Sequence, residues 1–164
     1  RIDNSYSTVG IFITSIIIEV NRVEDVVERA EKVMKALKNE SDGRNSQHQG
    51  GANHPVKMIT VSQIRKFLTA VNSLTDKVER YKVKHLKGGE PMLELSTDLA
   101  AEVKYLKVKL AYQCGRHKEV ANFEREAGLL KEISGIGKDF NKYMSFARYV
   151  EALVAYHKYY GGKD

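Results

Sequence analysis

The stretch of this sequence richest in side chains for acid–base chemistry is RYVEALVAYHKYYGGKD, residues 148–164. It contains Glu151 and His157, and both residue types serve as general acids and bases. They are six positions apart, which places them on different sides of a helix with about 3.6 residues per turn. This spacing argues against a catalytic pair, and alanine at either position is expected to affect stability first.

The tyrosines of the same stretch instead follow a packing pattern. Tyr149, Leu153, Tyr156 and Tyr160 recur at i, i+4, i+7 and i+11, and apolar residues surround most of the helix. A helix that is apolar around most of its circumference belongs at the centre of a bundle. We predict such a central helix from about residue 138 to residue 160.

The single cysteine, Cys114, precedes Gly115, Arg116 and His117, a neighbourhood that resembles an activated thiol. Gly115 is predicted to cap the end of a helix, and the negative end of the helix dipole disfavours a thiolate there. We therefore interpret Cys114 as structural. One cysteine permits no internal disulfide, which suits a reducing cytoplasm.

Other catalytic and metal-binding patterns are missing from the sequence. It has no G-x-S-x-G elbow, no glycine-rich phosphate loop and no H-E-x-x-H pair. His48 and His54 lie in a polar stretch without a third ligand and are interpreted as solvated loop residues. We expect no enzyme activity, no metal and no cofactor.

Basic residues without acidic neighbours are more informative. A set of them has no acidic residue three or four positions away on either side: Arg65, Lys66, Lys104, Lys107 and Lys109. Arg116 and Lys118 lie just beyond the predicted end of the helix that carries the last three. Such cations on rigid helices leave a positive field for phosphates, although a solvated face that only aids solubility is an equal alternative.

The charge is unevenly distributed along the chain. Residues 1–56 have a net charge of −1, and residues 57–164 have a net charge of +7. In the first predicted helix, 22–39, acids precede bases by four positions in the pairs Asp25–Arg29, Glu28–Lys32 and Glu31–Lys35, so that helix neutralises its own charge. A basic body favours a polyanionic partner.

Helical periodicity dominates the remaining sequence. Thr60 and Gln63 form a capping box ahead of an apolar face that extends to about residue 85. Leucine, valine and methionine then recur at three and four positions over 92–110, a narrow seam suited to helix–helix packing. A shorter helix is predicted over about 117–133. These patterns predict an all-α, single-domain bundle of about five helices.

Two segments stand apart from this bundle. Residues 1–20 are interpreted as an apolar N-terminal extension, and residues 21–164 as the helical domain. Residues 39–56, polar and glycine-rich, are predicted to form a flexible linker. The apolar run 9–20 is too short to span a bilayer and contains Glu19, so no membrane association is expected. The β-branched residues 9–18 leave a lone strand as an alternative there.

Three stretches together resemble one known family, the small helical subunit of the type III-A CRISPR effector (Csm) complex. They are ITVSQIRKFL (59–68), EVKYLKVKLAYQCGR (102–116) and RYVEALVAYHKYYGGKD (148–164). Their order and spacing agree with the family over roughly residues 23–164. Residues 1–20 have no recognised counterpart in it, and the 39–56 linker is longer than typical.

The resemblance implies a non-catalytic role in antiviral defence. Copies of the family stack head-to-tail inside a cytoplasmic ribonucleoprotein, beside the subunits that bind the guide RNA, and basic helices contact the guide RNA and the captured target RNA. Together with the apolar seam over 92–110, this stacking predicts that the chain self-associates, as head-to-tail copies or as a dimer. The residues expected to contact the RNA backbone are Arg65, Lys66, Lys104, Lys107, Arg116 and Lys118. The alternative is a small helical DNA-binding regulator with TVSQIRKFL opening its recognition helix.

Overall fold

The computed structural model describes residues 25–43, 57–85 and 92–162. The described residues form six helices and no extended strand. Helix α1 covers 25–41, and the others are α2 (Val61–His85), α3 (Thr97–Arg116), α4 (Lys118–Ala127), α5 (Leu129–Ile136) and α6 (Phe140–Tyr159). The all-α fold class is confirmed. The predicted extension 1–20, with its strand alternative, and residues 44–56 of the predicted linker lie outside the described residues.

The capping box predicted at the start of α2 is present. The Gln63 amide N–H donates to Thr60 Oγ1 at 3.2 Å, and the Thr60 amide N–H donates to Gln63 Oε1 at 2.9 Å. Gln63 also donates through Nε2 to Glu119 Oε1 at 2.9 Å. Gln63 therefore completes the capping box of α2 and also ties α2 to α4.

The helix predicted over about 117–133 is divided into α4 and α5. Gly128 separates them with φ 66° and ψ 28°, the left-handed conformation that glycine adopts at little cost. The Glu124 carboxylate then accepts hydrogen bonds from the Leu129 and Leu130 amides at 2.9 and 3.1 Å. A second helix can start here because Glu124 supplies the cap that its first amides require.

The end of α3 differs from the prediction. Gly115 does not cap this helix: α3 continues through it to Arg116, and His117, with φ −134° and ψ 113°, is the C-cap. Because His117 is also the N-cap of α4, the two helices are separated by one residue. The chain therefore changes direction at His117, between two basic residues.

Helix α6 occupies the centre of the bundle, as its apolar circumference predicted. It packs against α2 and α5 and buries Tyr143, Tyr149 and Leu153 almost completely. The Tyr143 hydroxyl donates to the Val71 carbonyl at 3.2 Å and bonds Thr75 Oγ1 at 2.9 Å. Burial raises the pKa of Tyr143 to about 12, so this phenol stays protonated and joins α6 to α2.

Helix α1 is fixed to the bundle by Arg29, which the spacing in the sequence had predicted to pair with Asp25 of the same helix. Arg29 bonds Glu132 of α5 at 2.9 Å and lies 4.0 Å from the centre of the Tyr149 ring, rather than pairing with Asp25. The predicted pairs Glu28–Lys32 and Glu31–Lys35 are present at 3.8 and 2.7 Å. Arg29 thus links α1 to both α5 and α6.

The C-terminal end of α6 is tied to the start of α2 by a buried histidine. The His157 ring donates from Nε2 to the Ile59 carbonyl over 2.6 Å, and His157 is 1% exposed. Gly161 has φ 81°, and Gly162 then lies directly against the His157 ring. The two glycines therefore end the helix and also make space for the histidine.

No helix among the described residues combines the length and the apolar character that crossing a membrane requires.

A short antiparallel bridge joins Glu94 to Asp139, with the Leu95 amide bonded to the Lys138 carbonyl at 2.8 Å. This bridge holds the start of α3 beside the start of α6.

We expect Gly162→Ala to lower the free energy of unfolding by about 1–3 kcal/mol, the usual cost of overpacking a core. A Cβ at this position would overlap Cε1, Nδ1 and Nε2 of His157, whose ring is held by Ile59. Gly115→Ala is the matched control, because nothing lies within 4 Å of a Cβ there. Urea denaturation of both variants and of the unsubstituted chain checks the prediction, which is contradicted if Gly162→Ala is as stable as the unsubstituted chain.

Stability is also expected to depend on His157 below neutral pH. Burial lowers the pKa of His157 from its ordinary 6.5, partly opposed by the Ile59 hydrogen bond and assisted by Lys158. The unfolded chain therefore takes up a proton before the native state does, so the free energy of unfolding falls as the pH drops below about 6.5.

Urea denaturation between pH 7.5 and 5.0 measures this slope. His157→Gln should be less stable at pH 7.5 and should show a smaller pH dependence over that range. His85→Gln is the control, because it removes an exposed histidine at the end of α2. An unchanged slope in His157→Gln would exclude His157 as its source.

Candidate nucleic-acid interface

Helix α3 presents two different faces. Leu99, Val103, Leu106 and Leu110, the seam predicted from the sequence, are buried in the chain's own core. The opposite face points outward and carries basic, aromatic and small residues. The N-terminus of α3 is set by Ser96, whose hydroxyl accepts a hydrogen bond from the Leu99 amide at 3.2 Å.

All six predicted RNA-contacting residues are exposed. None of them forms an ion pair with another residue in the described ranges. Lys107 donates to Ser134 of α5 at 2.8 Å, and Arg116 bonds the Tyr112 hydroxyl at 3.4 Å. Their positive charges are therefore not neutralised by carboxylates, as the sequence indicated.

One of these cations shares a groove with a basic residue of another helix. Lys66 of α2 lines a groove of about 190 Å³ together with Lys109 and Tyr112 of α3. Arg116 and Lys118 lie on either side of His117, at the junction of α3 and α4. We call Lys66, Lys109, Arg116 and Lys118 the basic surface at the α2–α3–α4 junction, where Glu119 also lies, bonded to Gln63.

The other predicted residues are placed differently. Lys104 and Lys107 lie one helical turn apart on α3, on the flank that faces α5. Arg65 is exposed near the start of α2, and it does not line the groove. The six cations are consequently spread over two flanks of α3 and the start of α2 rather than gathered in one pocket.

Sequence reasoning missed the aromatic residues of this surface. Tyr105 and Tyr112 are 58% and 60% exposed, and each has a cation four positions later on the same helix. Lys109 Nζ lies 5.4 Å from the Tyr105 ring centre, and Arg116 Cζ lies 5.6 Å from that of Tyr112. The repeated Tyr-x-x-x-(Lys/Arg) spacing outside the leucine seam was the available signal.

The candidate catalytic residues do not form a site. Glu151 is exposed on α6, whereas His157 is buried and bonded to a backbone carbonyl. Burial raises the pKa of the Cys114 thiol, assisted by the charge of Glu124, which disfavours a nucleophilic thiolate. The interpretation of Cys114 as structural agrees with this shift.

Metal ligands are not clustered in the described part of the chain. No group of three or more histidine, cysteine, aspartate or glutamate side chains lies close enough there to hold an ion. A groove of about 460 Å³ between α1, α5 and α6 is lined by the Arg29–Glu132 ion pair and by Asp25. The Glu132 carboxylate is therefore engaged with an arginine.

Comparison with known proteins identifies the family. A family model described as Csm2 Type III-A matches residues 38–163. The protein named CRISPR system Cms protein Csm2 from Streptococcus thermophilus is 33% identical over 141 residues, which are 86% of this chain and 95% of that protein.

Two further relatives carry the same name. The protein from Mycobacterium tuberculosis (strain CDC 1551 / Oshkosh) is 36% identical over 106 residues, 65% of this chain and 78% of its own length. That from Enterococcus italicus is 33% identical over 104 residues, 62% of this chain and 68% of its own length. The chain therefore belongs to the Csm2 type III-A family, which confirms the resemblance to the small helical subunit of the type III-A CRISPR effector complex.

Proposed function

We propose that this chain is a non-catalytic structural subunit of a type III-A CRISPR ribonucleoprotein and contacts the backbones of the guide RNA and the target RNA in antiviral defence. The observation that carries the proposal is the outer face of α3, where lysine and arginine are exposed and no acidic residue follows Glu102 within the helix. Membership of the Csm2 family supports the place in the complex.

The type of contact follows from the side chains. Exposed lysine and arginine on a rigid helix attract phosphates regardless of base sequence, because the backbone charge is the same at every nucleotide. A subunit that holds many different guides needs this kind of binding. The contacts are assigned to Arg65, Lys66, Lys104, Lys107, Arg116 and Lys118.

A structural role without turnover is supported by the state of the candidate catalytic groups. His157 and Cys114 both have pKa values shifted toward their uncharged forms by burial. Neither is placed with a nucleophile–base partner among the described residues. The polar groups of α6 serve folding, and cleavage chemistry is assigned to other subunits of the complex.

Self-association in several copies is part of the proposal. The seam over 92–110 that motivated it is buried within the chain, so copies would meet through another surface. In the described ranges, the large apolar side chains most exposed outside α3 are Val83, Leu93 and Tyr159, at 80%, 63% and 78%. Light scattering of the purified chain across concentrations tests association in isolation.

The alternative of a DNA-binding regulator finds less support. A helix-turn-helix motif joins its two helices by a tight turn. Among the described residues, the helix before α2 is α1, which ends at residue 41, whereas α2 begins at Val61, and the described residues 57–60 ahead of Val61 are not helical. A gel shift with duplex DNA and with RNA of the same sequence separates the two functions.

We expect the triple variant Arg65→Ala, Lys107→Ala and Arg116→Ala to weaken target-RNA retention in the assembled complex. Each lost phosphate contact removes about 0.7–0.9 from the slope of log K against log salt, so the three together should lower it by about 2–3. Filter binding across a potassium chloride series measures the slope.

The matched control is Lys32→Ala, Lys35→Ala and Lys77→Ala. This variant changes the net charge equally, but each of its lysines is paired with a glutamate in the folded chain. It should retain RNA and the slope of the unsubstituted complex. Unchanged retention in the first variant, with assembly intact, or equal losses in both, would exclude the assigned contacts.

A further inference from the structure

Helix α3 carries an exposed aromatic and aliphatic stripe along its outer face. Tyr105, Val108 and Tyr112 are 58%, 58% and 60% exposed, and they lie at i, i+3 and i+7. Residues at this spacing share one side of a helix, so the three side chains form a continuous strip. We call these three residues the tyrosine stripe.

Both edges of the tyrosine stripe are basic. Lys104 lies along one edge, with Lys107 beyond it toward α5, and Lys109 and Arg116 lie along the other edge with their charges over the tyrosine rings. Residues 103–116 include no acidic side chain. A partner of this surface must therefore combine negative charge with flat or apolar groups.

The carboxylates of this chain are scattered over several helices. Those of Glu28, Glu31, Glu40 and Asp42 lie 3.8, 2.7, 3.6 and 3.1 Å from a lysine or arginine nitrogen, whereas Asp76, Glu94 and Asp98 are exposed and form no ion pair in the described ranges. A second copy would therefore present carboxylates at irregular positions. Nucleic acid with unpaired bases matches well, because it presents phosphates and stackable rings at regular intervals.

We propose that the tyrosine stripe stacks unpaired bases of single-stranded RNA while the flanking lysines and arginine hold the phosphates. This inference rests on the proposed function and extends it from backbone contact to the faces of the bases. Tyr105 and Tyr112 are seven residues apart, about 10.5 Å along the helix, so each ring serves a different base. Stacking on an aromatic ring requires no particular base, in agreement with binding that is independent of sequence.

The cations beside the rings hold them in position. Arg116 lies over Tyr112 and also donates to its hydroxyl at 3.4 Å, and Lys109 lies over Tyr105. The exposed fraction of each ring leaves surface for a second flat group. A base would stack on the exposed face of a tyrosine ring, and Lys109 or Arg116 would bind the phosphate of the same nucleotide.

The test compares two RNA probes of equal length and charge with the full-length chain. One is single-stranded oligoadenylate, and the other is an abasic oligoribonucleotide. The double variant Tyr105→Ala and Tyr112→Ala should bind oligoadenylate at least about 25-fold more weakly, because each of the two lost stacks contributes about fivefold or more. Its affinity for the abasic probe should remain that of the unsubstituted chain.

Three further variants define the interaction. Tyr105→Phe with Tyr112→Phe retains the rings and should bind oligoadenylate like the unsubstituted chain, whereas the corresponding leucine pair should bind as weakly as the alanine pair. Tyr159→Ala removes an exposed tyrosine from α6 and should have no effect. Full binding by the leucine pair, or equal losses on both probes, would overturn base stacking.

The outcomes also separate this inference from the proposed function. If the Arg65, Lys107 and Arg116 variant loses binding to both probes and the tyrosine variants lose none, base stacking fails and backbone contact stands. If neither set affects RNA binding, both fail. A change in self-association by light scattering, without a change in RNA binding, would assign the stripe to contacts between copies and overturn the inference.

Discussion

The hydrogen bond between His157 and the Ile59 carbonyl closes the fold. It joins positions 98 residues apart and connects the last turn of α6 to the residue before the α2 capping box. Thr60 and Gln63 then fix the direction of α2, and Gln63 reaches Glu119 of α4. The basic surface at the α2–α3–α4 junction depends on this sequence of contacts, because α2 supplies one wall of its groove.

This arrangement explains the Gly-Gly end of the last helix. Gly161 turns the chain through a left-handed residue, and Gly162 then passes against the His157 ring where no side chain fits. Burial lowers the pKa of the His157 ring, because a charged imidazolium at this position would be removed from water. The stretch 148–164 has the residue types of an active site, but its histidine and glycines connect the end of α6 to the start of α2.

The charged residues of α1 are mostly in ion pairs, whereas the cations on the outer face of α3 are not. On α1, most acids and bases pair within the helix or, as for Arg29 and Glu40, with α5 and α4, and Asp25 is the exception. On α3 the apolar seam is buried in the core, and the exposed outer face carries cations and two tyrosines. The helix that packs the core thus also presents the exposed basic face on which the proposed RNA contacts depend, since its two sides have opposite compositions.

Local spacing in the sequence determined the helices, the capping box, the central position of α6, the separation of Glu151 from His157 and the lack of acidic neighbours on α3. These properties depend on residues within one or two turns, where helical geometry is regular. Tertiary structure alone decided that Arg29 pairs with Glu132 rather than Asp25, that His157 bonds Ile59, and that Lys66 lines a groove together with Lys109. It also decided that Tyr105 and Tyr112 of α3 are exposed while Tyr143 and Tyr149 of α6 are buried. The physical reason is that periodicity specifies which residues share a helix face, whereas the neighbour of that face depends on contacts between segments distant in sequence.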